Sequence, residues 1–312
     1  REFFFFFLPP TNYQELDLWG KIYYCQAFTW YHHTTQEFTY GYRYSQKWID
    51  LFDANPEMKL INPSLYLKGM HNLLTNLFNM LHYSRFVEVL EQLYAFPGTQ
   101  DISEQKNIEG TYHLFRYIHL IQKHFMEGTF SDGLEIVPGL MHIIDEDEYN
   151  WDQHRILVFY YRIACLYFGS GDFKNAIHYL NLIINQKNPD YREDIQCFAR
   201  ILNLIAHFEL GNAQLVEYQI KSVYRFLLKM EDLNEVKKEI FRFLRRTPRM
   251  RASEMKQEFV SLKEKLVRIE REPYERRPFL YLDIISWLES KIENRSVQAI
   301  VQEKFLKRQM AG

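Results

Sequence analysis

The densest charge in the sequence lies in the run KKEIFRFLRRTPRMR, residues 237–251, which carries seven cations and one acid. The guanidinium group of arginine binds carboxylates and phosphates through paired hydrogen bonds, so an acidic protein, a nucleic acid and an anionic lipid are all conceivable partners. Nearby acids can neutralise the run, which favours a solvated helix face or a salt-bridged contact with another copy. The cations of this predicted basic patch are Lys237, Lys238, Arg242, Arg245, Arg246, Arg249 and Arg251.

Charge is also distributed unevenly along the whole chain. Residues 221–312 hold 22 Lys and Arg against 14 Asp and Glu, whereas residues 1–220 hold 16 against 26. Such asymmetry can steer a charged partner or order the association of identical chains. We therefore consider a homo-oligomer. A nucleic acid is disfavoured because no recognisable nucleic-acid-binding module accompanies the basic run.

The other residues able to do chemistry do not have the spacing of a known site. Among the eleven histidines, His32 and His33 are adjacent, and His113, His119 and His124 lack the i,i+4 spacing of a helical zinc pair. The three cysteines form no CxxC pair and no disulfide framework. No phosphate-binding glycine loop or hydrolase motif occurs. We predict no catalytic residue, no cofactor and no metal site, and an enzyme on a helical scaffold is the disfavoured alternative.

Long helices are expected to position these residues. The 312 residues include only 12 glycines and 10 prolines, and sparse helix breakers favour long helices. No run of 18 or more apolar residues occurs, so no membrane span is expected. The odd number of widely spaced cysteines favours a reducing compartment, and we predict a cytoplasmic location.

Residues 154–189 carry a helix-hairpin pattern. A helix with Tyr160, Ala164 and Tyr167 on one face leads into a Gly-Asp-Phe turn, and Ala176 then lies on the facing side of a second helix. Small residues at these facing positions allow two helices to approach closely. The pattern resembles the tetratricopeptide repeat (TPR)-like superfamily in a divergent form.

Weaker copies of the same turn precede it. Their aromatic residues Phe38, Phe86 and Phe130, followed by Phe173, are 48, 44 and 43 residues apart, longer than the ~34 residues of the usual repeat. The resemblance implies an all-α right-handed superhelix, or solenoid, of antiparallel hairpins. Helix-stop signals at Asn55-Pro56, Pro97-Gly98, the acidic run 145–148 and Asn188-Pro189 divide residues 12–230 into five predicted hairpins: 12–54, 63–96, 103–144, 151–187 and 191–230.

The two ends of the chain are predicted to differ from these repeats. Residues 231–312 are expected to form C-terminal helical hairpins and a capping helix. Residues 1–11 contain five consecutive phenylalanines followed by two prolines after Leu8. We interpret them as the tail of a preceding repeat helix of a longer solenoid, packed partly on the helix that follows.

The resemblance also implies a binding surface. In TPR-like proteins the first helices of the hairpins line a concave groove that commonly holds an extended peptide or a partner helix. We therefore predict a protein-interaction scaffold with an aromatic groove, although tight superhelical packing could fill the groove from within. A peptide-sensing regulator with its effector or DNA-binding segment outside this chain is an alternative. The predicted groove residues are Phe115, Ile118, Gln122, Phe125, Val158, Tyr161, Cys165 and Phe168.

Overall fold

The structure is a computed structural model that describes residues 12–99, 102, 104–186, 192–230, 234–247, 250–270 and 283–311. Over these ranges the chain forms helices and no strands, and neighbouring helices pack against one another. The prediction of an all-α protein is therefore confirmed for this part of the chain. The right-handed solenoid stays a prediction, and so does the expectation for residues 1–11, which lie outside the described ranges.

The helices belong to two compact units. The first unit runs to Met126 and includes Glu148–Asn150, whereas the second contains Glu127–Asp147 and the chain from Trp151 onward. The division of the chain into a repeat region and a C-terminal capping region stays a prediction.

The first unit contains six helices in its described part. Asp17 caps α1 by accepting a hydrogen bond from the Gly20 N–H at 2.7 Å, and Asn62 caps α4 in the same way, ahead of Pro63. Both caps satisfy N–H groups that the first turn of a helix leaves unpaired. The helices are α1 (Leu18–Thr34), α2 (Phe38–Asp53), α3 (Glu57–Ile61), α4 (Pro63–Asn79), α5 (Tyr83–Ala95) and α6 (Lys106–Glu127).

Aromatic residues pack both in the core of the first unit, beside many aliphatic side chains, and along the seam between α1 and α2. Trp48 of α2 is fully buried, and Gly69 of α4 allows the close approach, since a Cβ there would lie 3.2 Å from the Trp48 ring. Along the seam, the Phe28 and His32 rings stack on Tyr44 with centroids 4.9 and 5.6 Å apart. Ring packing therefore contributes to the contact between α1 and α2.

The second unit begins with a broken helix. The short α7 (Phe130–Gly133) passes through a 3-10 turn (Leu134–Ile136) into α8 (Val137–Asp145), with Pro138 in the first turn of α8. The helix is thus interrupted just ahead of Pro138, and a proline is tolerated in a first turn because its missing N–H would be unpaired there.

The hairpin with the strongest sequence pattern is formed by α9 (Gln153–Ser170) and α10 (Phe173–Ile184). Gly171 ends α9 with φ of 89°, a left-handed conformation that favours glycine. Asp172 then caps α10 by accepting from the Asn175 N–H at 3.1 Å. Ala164 and Ala176 are both fully buried. The small side chains at these positions therefore lie where the two helices pack.

The remaining helices of the second unit follow in order along the chain, each packed on the next. They are α11 (Glu193–Glu209), α12 (Ala213–Lys229), α13 (Glu235–Arg246), α14 (Ala252–Glu270), α15 (Ile284–Glu293) and α16 (Val297–Ala311).

Four aromatic rings join α11, α13, α14 and α15. The rings of Phe208, Phe243, Phe259 and Trp287 all contact one another, with centroids 5.3 to 6.4 Å apart. The Trp287 indole N–H donates to Glu209 Oε1 at 2.6 Å. We call these residues the four-ring cluster, and it fixes the positions of α13 and α14.

An ion-pair network adds a polar link between the last three helices. Glu289 of α15 pairs with Lys263 of α14 at 2.7 Å and with Lys304 of α16 at 2.5 Å. Its burial opposes ionisation, but the hydrogen bonds and charges of the two lysines outweigh that effect and lower the pKa of Glu289.

Candidate anion-binding cleft

An open cleft of ≈ 710 Å³ lies where α13 and α14 face each other in the second unit. Four of its six lining residues are cations and one is a carboxylate, so its surface is strongly positive. Among the described residues, it is the place where the cations of the basic run meet a cation of another helix. The lining residues are Arg242, Arg245, Arg246, Met250, Glu258 and Lys265.

The sequence of α13 explains why its arginines reach the cleft. Val236, Ile240 and Leu244 recur at helical spacing and are buried, which leaves the opposite side of the helix exposed. Arginines at positions 242, 245 and 246 are three and four residues apart, so they are neighbours on that side. They also lie in the last turns of α13, where the helix dipole favours cations.

Two carboxylates within the chain compensate part of this positive charge. Glu239 accepts hydrogen bonds from Arg242 through one oxygen and from Lys265 through the other, at 3.1 Å for Lys265. Glu258 binds Arg246 through Nη1 and Nη2 at 3.4 and 2.5 Å. Partial burial opposes the ionisation of Glu239, but its two cationic partners outweigh burial and lower its pKa.

Arg245 differs from its neighbours in the cleft. Its side chain is exposed, and within the described ranges it makes no hydrogen bond or ion pair. It lies three residues from Arg242, so these two guanidinium groups are neighbours on the helix. Arg242 and Arg246 each have a carboxylate partner, and an external anion would supply one for Arg245.

The structure separates the cleft arginines from the other cations of the predicted basic patch. Lys237 is 1% exposed, and its Nζ lies 4.5 Å from the centre of the Phe198 ring, away from solvent. Lys238 pairs with Glu235 of its own helix. Arg251 is exposed beyond α13, and Arg249 lies outside the described residues.

Lys265 completes the cleft but was not part of the sequence prediction. It follows Glu258 by seven residues on α14, which places both side chains on one face of that helix. This spacing was visible in the sequence. What the sequence did not show is that this face of α14 lies opposite the arginines of α13.

In the first unit, the predicted groove residues lie on α6 with unequal exposure. Phe115 and Gln122 are buried, and Ile118 and Phe125 are half-buried. His71 stacks on Phe115 with ring centroids 4.2 Å apart, and the Gln122 side-chain oxygen lies 2.6 Å from His119 Nδ1. Phe115 and Gln122 therefore already have partners inside the unit.

In the second unit, the predicted groove residues lie on α9 in a similar state. Tyr161 and Phe168 belong to the buried core, and Val158 and Cys165 pack against that core while remaining half-buried. Burial raises the pKa of the Cys165 thiol to about 12, so a reactive thiolate is not favoured. A partner-binding role for the eight predicted groove residues stays a prediction.

Two further observations bear on the chemistry of the chain. In the ranges that the structure covers, no group of three or more His, Cys, Asp and Glu side chains could hold a metal ion. None of the described helices combines the length and apolar character needed to cross a bilayer. The cytoplasmic location stays a prediction.

Comparisons of the chain with protein-family models, with curated proteins and with solved structures found no match. The resemblance to TPR-like proteins therefore rests on the sequence pattern alone and stays a prediction.

Proposed function

We propose that this protein is a protein-interaction scaffold that binds an acidic segment of a partner in the cleft between α13 and α14. The observation that carries the proposal is Arg245, an exposed arginine without an ion-pair partner in the described ranges, in a cleft with three other cations. A partner carboxylate at Arg245 would form a charge-assisted hydrogen bond and reduce the repulsion among the arginines.

The shape and lining of the cleft favour a protein segment over other anions. Pockets for small molecules are usually concave and mostly apolar, whereas this cleft is open and, of the described residues that line it, only Met250 is apolar. Proteins that bind single-stranded nucleic acids stack bases on aromatic side chains, and none of the six lining residues is aromatic. An extended acidic segment of a protein can bind without an apolar concave pocket and without aromatic side chains for stacking.

The experiment measures binding of a fluorescent peptide of alternating Glu and Gly to the full chain by fluorescence anisotropy. A peptide with Gln in place of Glu serves as the uncharged reference. We expect Arg245→Gln to weaken binding about fivefold, which corresponds to ~1 kcal/mol for one exposed charge pair. Binding should also weaken as salt is added, because salt screens exposed charges.

The matched control is Arg155→Gln on α9, which removes an arginine whose side chain is 52% exposed and lies outside the cleft. This variant should bind the acidic peptide as the unaltered protein does. The proposal fails if the Glu and Gln peptides bind equally, or if Arg155→Gln weakens binding as much as Arg245→Gln.

A further inference from the structure

Two carboxylates of the chain itself already bind cations that line the cleft, and one of them, Glu258, is a lining residue. Glu239 bridges Arg242 and Lys265, and Glu258 is held by two nitrogens of Arg246. Each is tethered beside its cations, so it competes with any incoming carboxylate at a high effective concentration. A partner carboxylate that displaced Glu239 or Glu258 would only replace one carboxylate–cation contact with an equivalent contact.

The two carboxylates do not neutralise the cleft. Among the described residues, four cations line it, and the two negative charges of Glu239 and Glu258 offset two of the four positive charges, which leaves a net charge of about +2. Within the same ranges, the Arg245 side chain donates no hydrogen bond, Arg242 contacts Glu239 through one guanidinium nitrogen, and the Lys265 ammonium has three N–H donors of which one is directed to Glu239. The cleft therefore has donors left for an anion with more oxygens than a carboxylate.

A phosphate monoester has the required properties. It carries about −1.5 to −2 charges near neutral pH and three acceptor oxygens, and arginine forks bind it through paired hydrogen bonds. Its charge matches the remaining charge of the cleft, so it can bind Arg245 without displacing the internal carboxylates. A carboxylate brings half the charge and one oxygen fewer.

We propose that the cleft between α13 and α14 recognises a phosphorylated side chain of a partner protein, with Arg245 as its anchor. This inference rests on the proposed function and specifies its ligand.

The surroundings of the cleft favour a protein over a membrane as the source of the phosphate. Among the described residues, none of the exposed large apolar side chains lies on α13 or α14. Apolar side chains that insert among lipids are what normally support binding to a phospholipid surface. No aromatic residue lines the cleft in the part of the chain that the structure describes, which likewise disfavours an RNA strand.

The test compares three peptides of one sequence that differ only at a central Ser, Glu or phosphoserine, each titrated into the full chain and followed by anisotropy. We expect the phosphoserine peptide to bind at least about tenfold more tightly than the Glu peptide, and the Glu peptide more tightly than the Ser peptide. Arg245→Gln should abolish the preference for phosphoserine over Glu. Arg245→Lys should retain part of the preference for phosphoserine, because lysine keeps the charge but cannot donate the paired hydrogen bonds of a guanidinium group.

The outcomes separate this inference from the proposed function. Equal binding of the phosphoserine and Glu peptides, both tighter than Ser, would overturn the phosphate inference and leave the proposed function standing. Equal binding of all three peptides would overturn both. Tighter binding, dependent on Arg245, to phosphoinositide vesicles or to single-stranded RNA than to the phosphopeptide would overturn the assignment to a protein partner. Arg155→Gln should leave the peptide preference unchanged.

Discussion

Trp287→Phe tests whether the four-ring cluster holds α13 and α14 in place. Trp287 is 1% exposed, and its indole N–H donates to the Glu209 carboxylate at 2.6 Å. The substitution keeps an aromatic ring among the other three rings but removes the donor and part of the ring volume. The variant therefore separates the hydrogen bond and tight packing from the simple presence of an aromatic residue.

The expected cost follows from these two losses. A hydrogen bond to a charged group contributes about 1.5–3 kcal/mol, and Glu209 keeps Lys291 as a partner at 2.7 Å, so the lower end of that range applies. The volume lost from a buried site adds on the order of 1 kcal/mol. We expect Trp287→Phe to lower the free energy of unfolding by about 2–3 kcal/mol.

Urea unfolding followed by far-ultraviolet circular dichroism measures this change without relying on tryptophan fluorescence. For a slope of about 2 kcal/mol per M, the midpoint of the affected transition should fall by ~1 M or slightly more. Trp30→Phe is the control, because Trp30 is 52% exposed and should change stability by less than about 0.5 kcal/mol.

Two results would refute this reasoning. A loss below about 0.5 kcal/mol for Trp287→Phe would show that the cluster tolerates a smaller ring and does not need the hydrogen bond. If Glu209→Leu, which removes the acceptor of the indole N–H, were neutral while Trp287→Phe was costly, ring packing alone would account for the effect.

Three further predictions concern packing, pH and thiol reactivity. Gly169→Ala should destabilise the protein by about 1–3 kcal/mol in thermal unfolding, because the added Cβ would lie 2.4 Å from the Phe130 ring. Gly98→Ala is the control, because a Cβ there has no neighbour within 4 Å and should leave the thermal stability unchanged. Glu289→Gln should lower the urea midpoint of unfolding at pH 7, because a carboxylate with a lowered pKa stabilises the folded protein while it is ionised. The difference in midpoint between the variant and the unaltered protein should shrink as pH falls below about 4.5, and a constant difference down to pH 3 would contradict this. Burial raises the pKa of the fully buried Cys25 thiol to about 11. Mass spectrometry should therefore show that a disulfide reagent at pH 8 labels Cys25 far more slowly in the folded than in the urea-unfolded protein.

The features predicted best from sequence depend on neighbouring residues alone. The turn between α9 and α10 needs a left-handed residue and then a helix cap, and Gly171 followed by Asp172 supplies both. Scarce helix breakers predicted the all-α class for a similar reason. Helix caps, turns and helix breakers depend on residues close in the sequence, so they can be predicted without knowing which helices pack against one another.

The features that sequence did not predict depend on contacts between distant helices. Lys265 belongs to the cleft only because α14 faces the arginines of α13. The burial of Tyr161 likewise depends on the core that surrounds α9. Lys237 is an intermediate case: its spacing from Ile240 and Phe241 already indicated the apolar face of α13, but its position within a run of cations obscured that pattern.

The four-ring cluster also bears on the order in which the protein is made. Trp287 is 78 residues beyond Glu209, so the arginines of α13 leave the ribosome well before the tryptophan that fixes their helix. Contacts between such distant positions form late, because a long loop must close first. A nascent chain therefore carries the charges of the cleft before it has the cleft itself, and the cleft forms only when the C-terminal helices have folded.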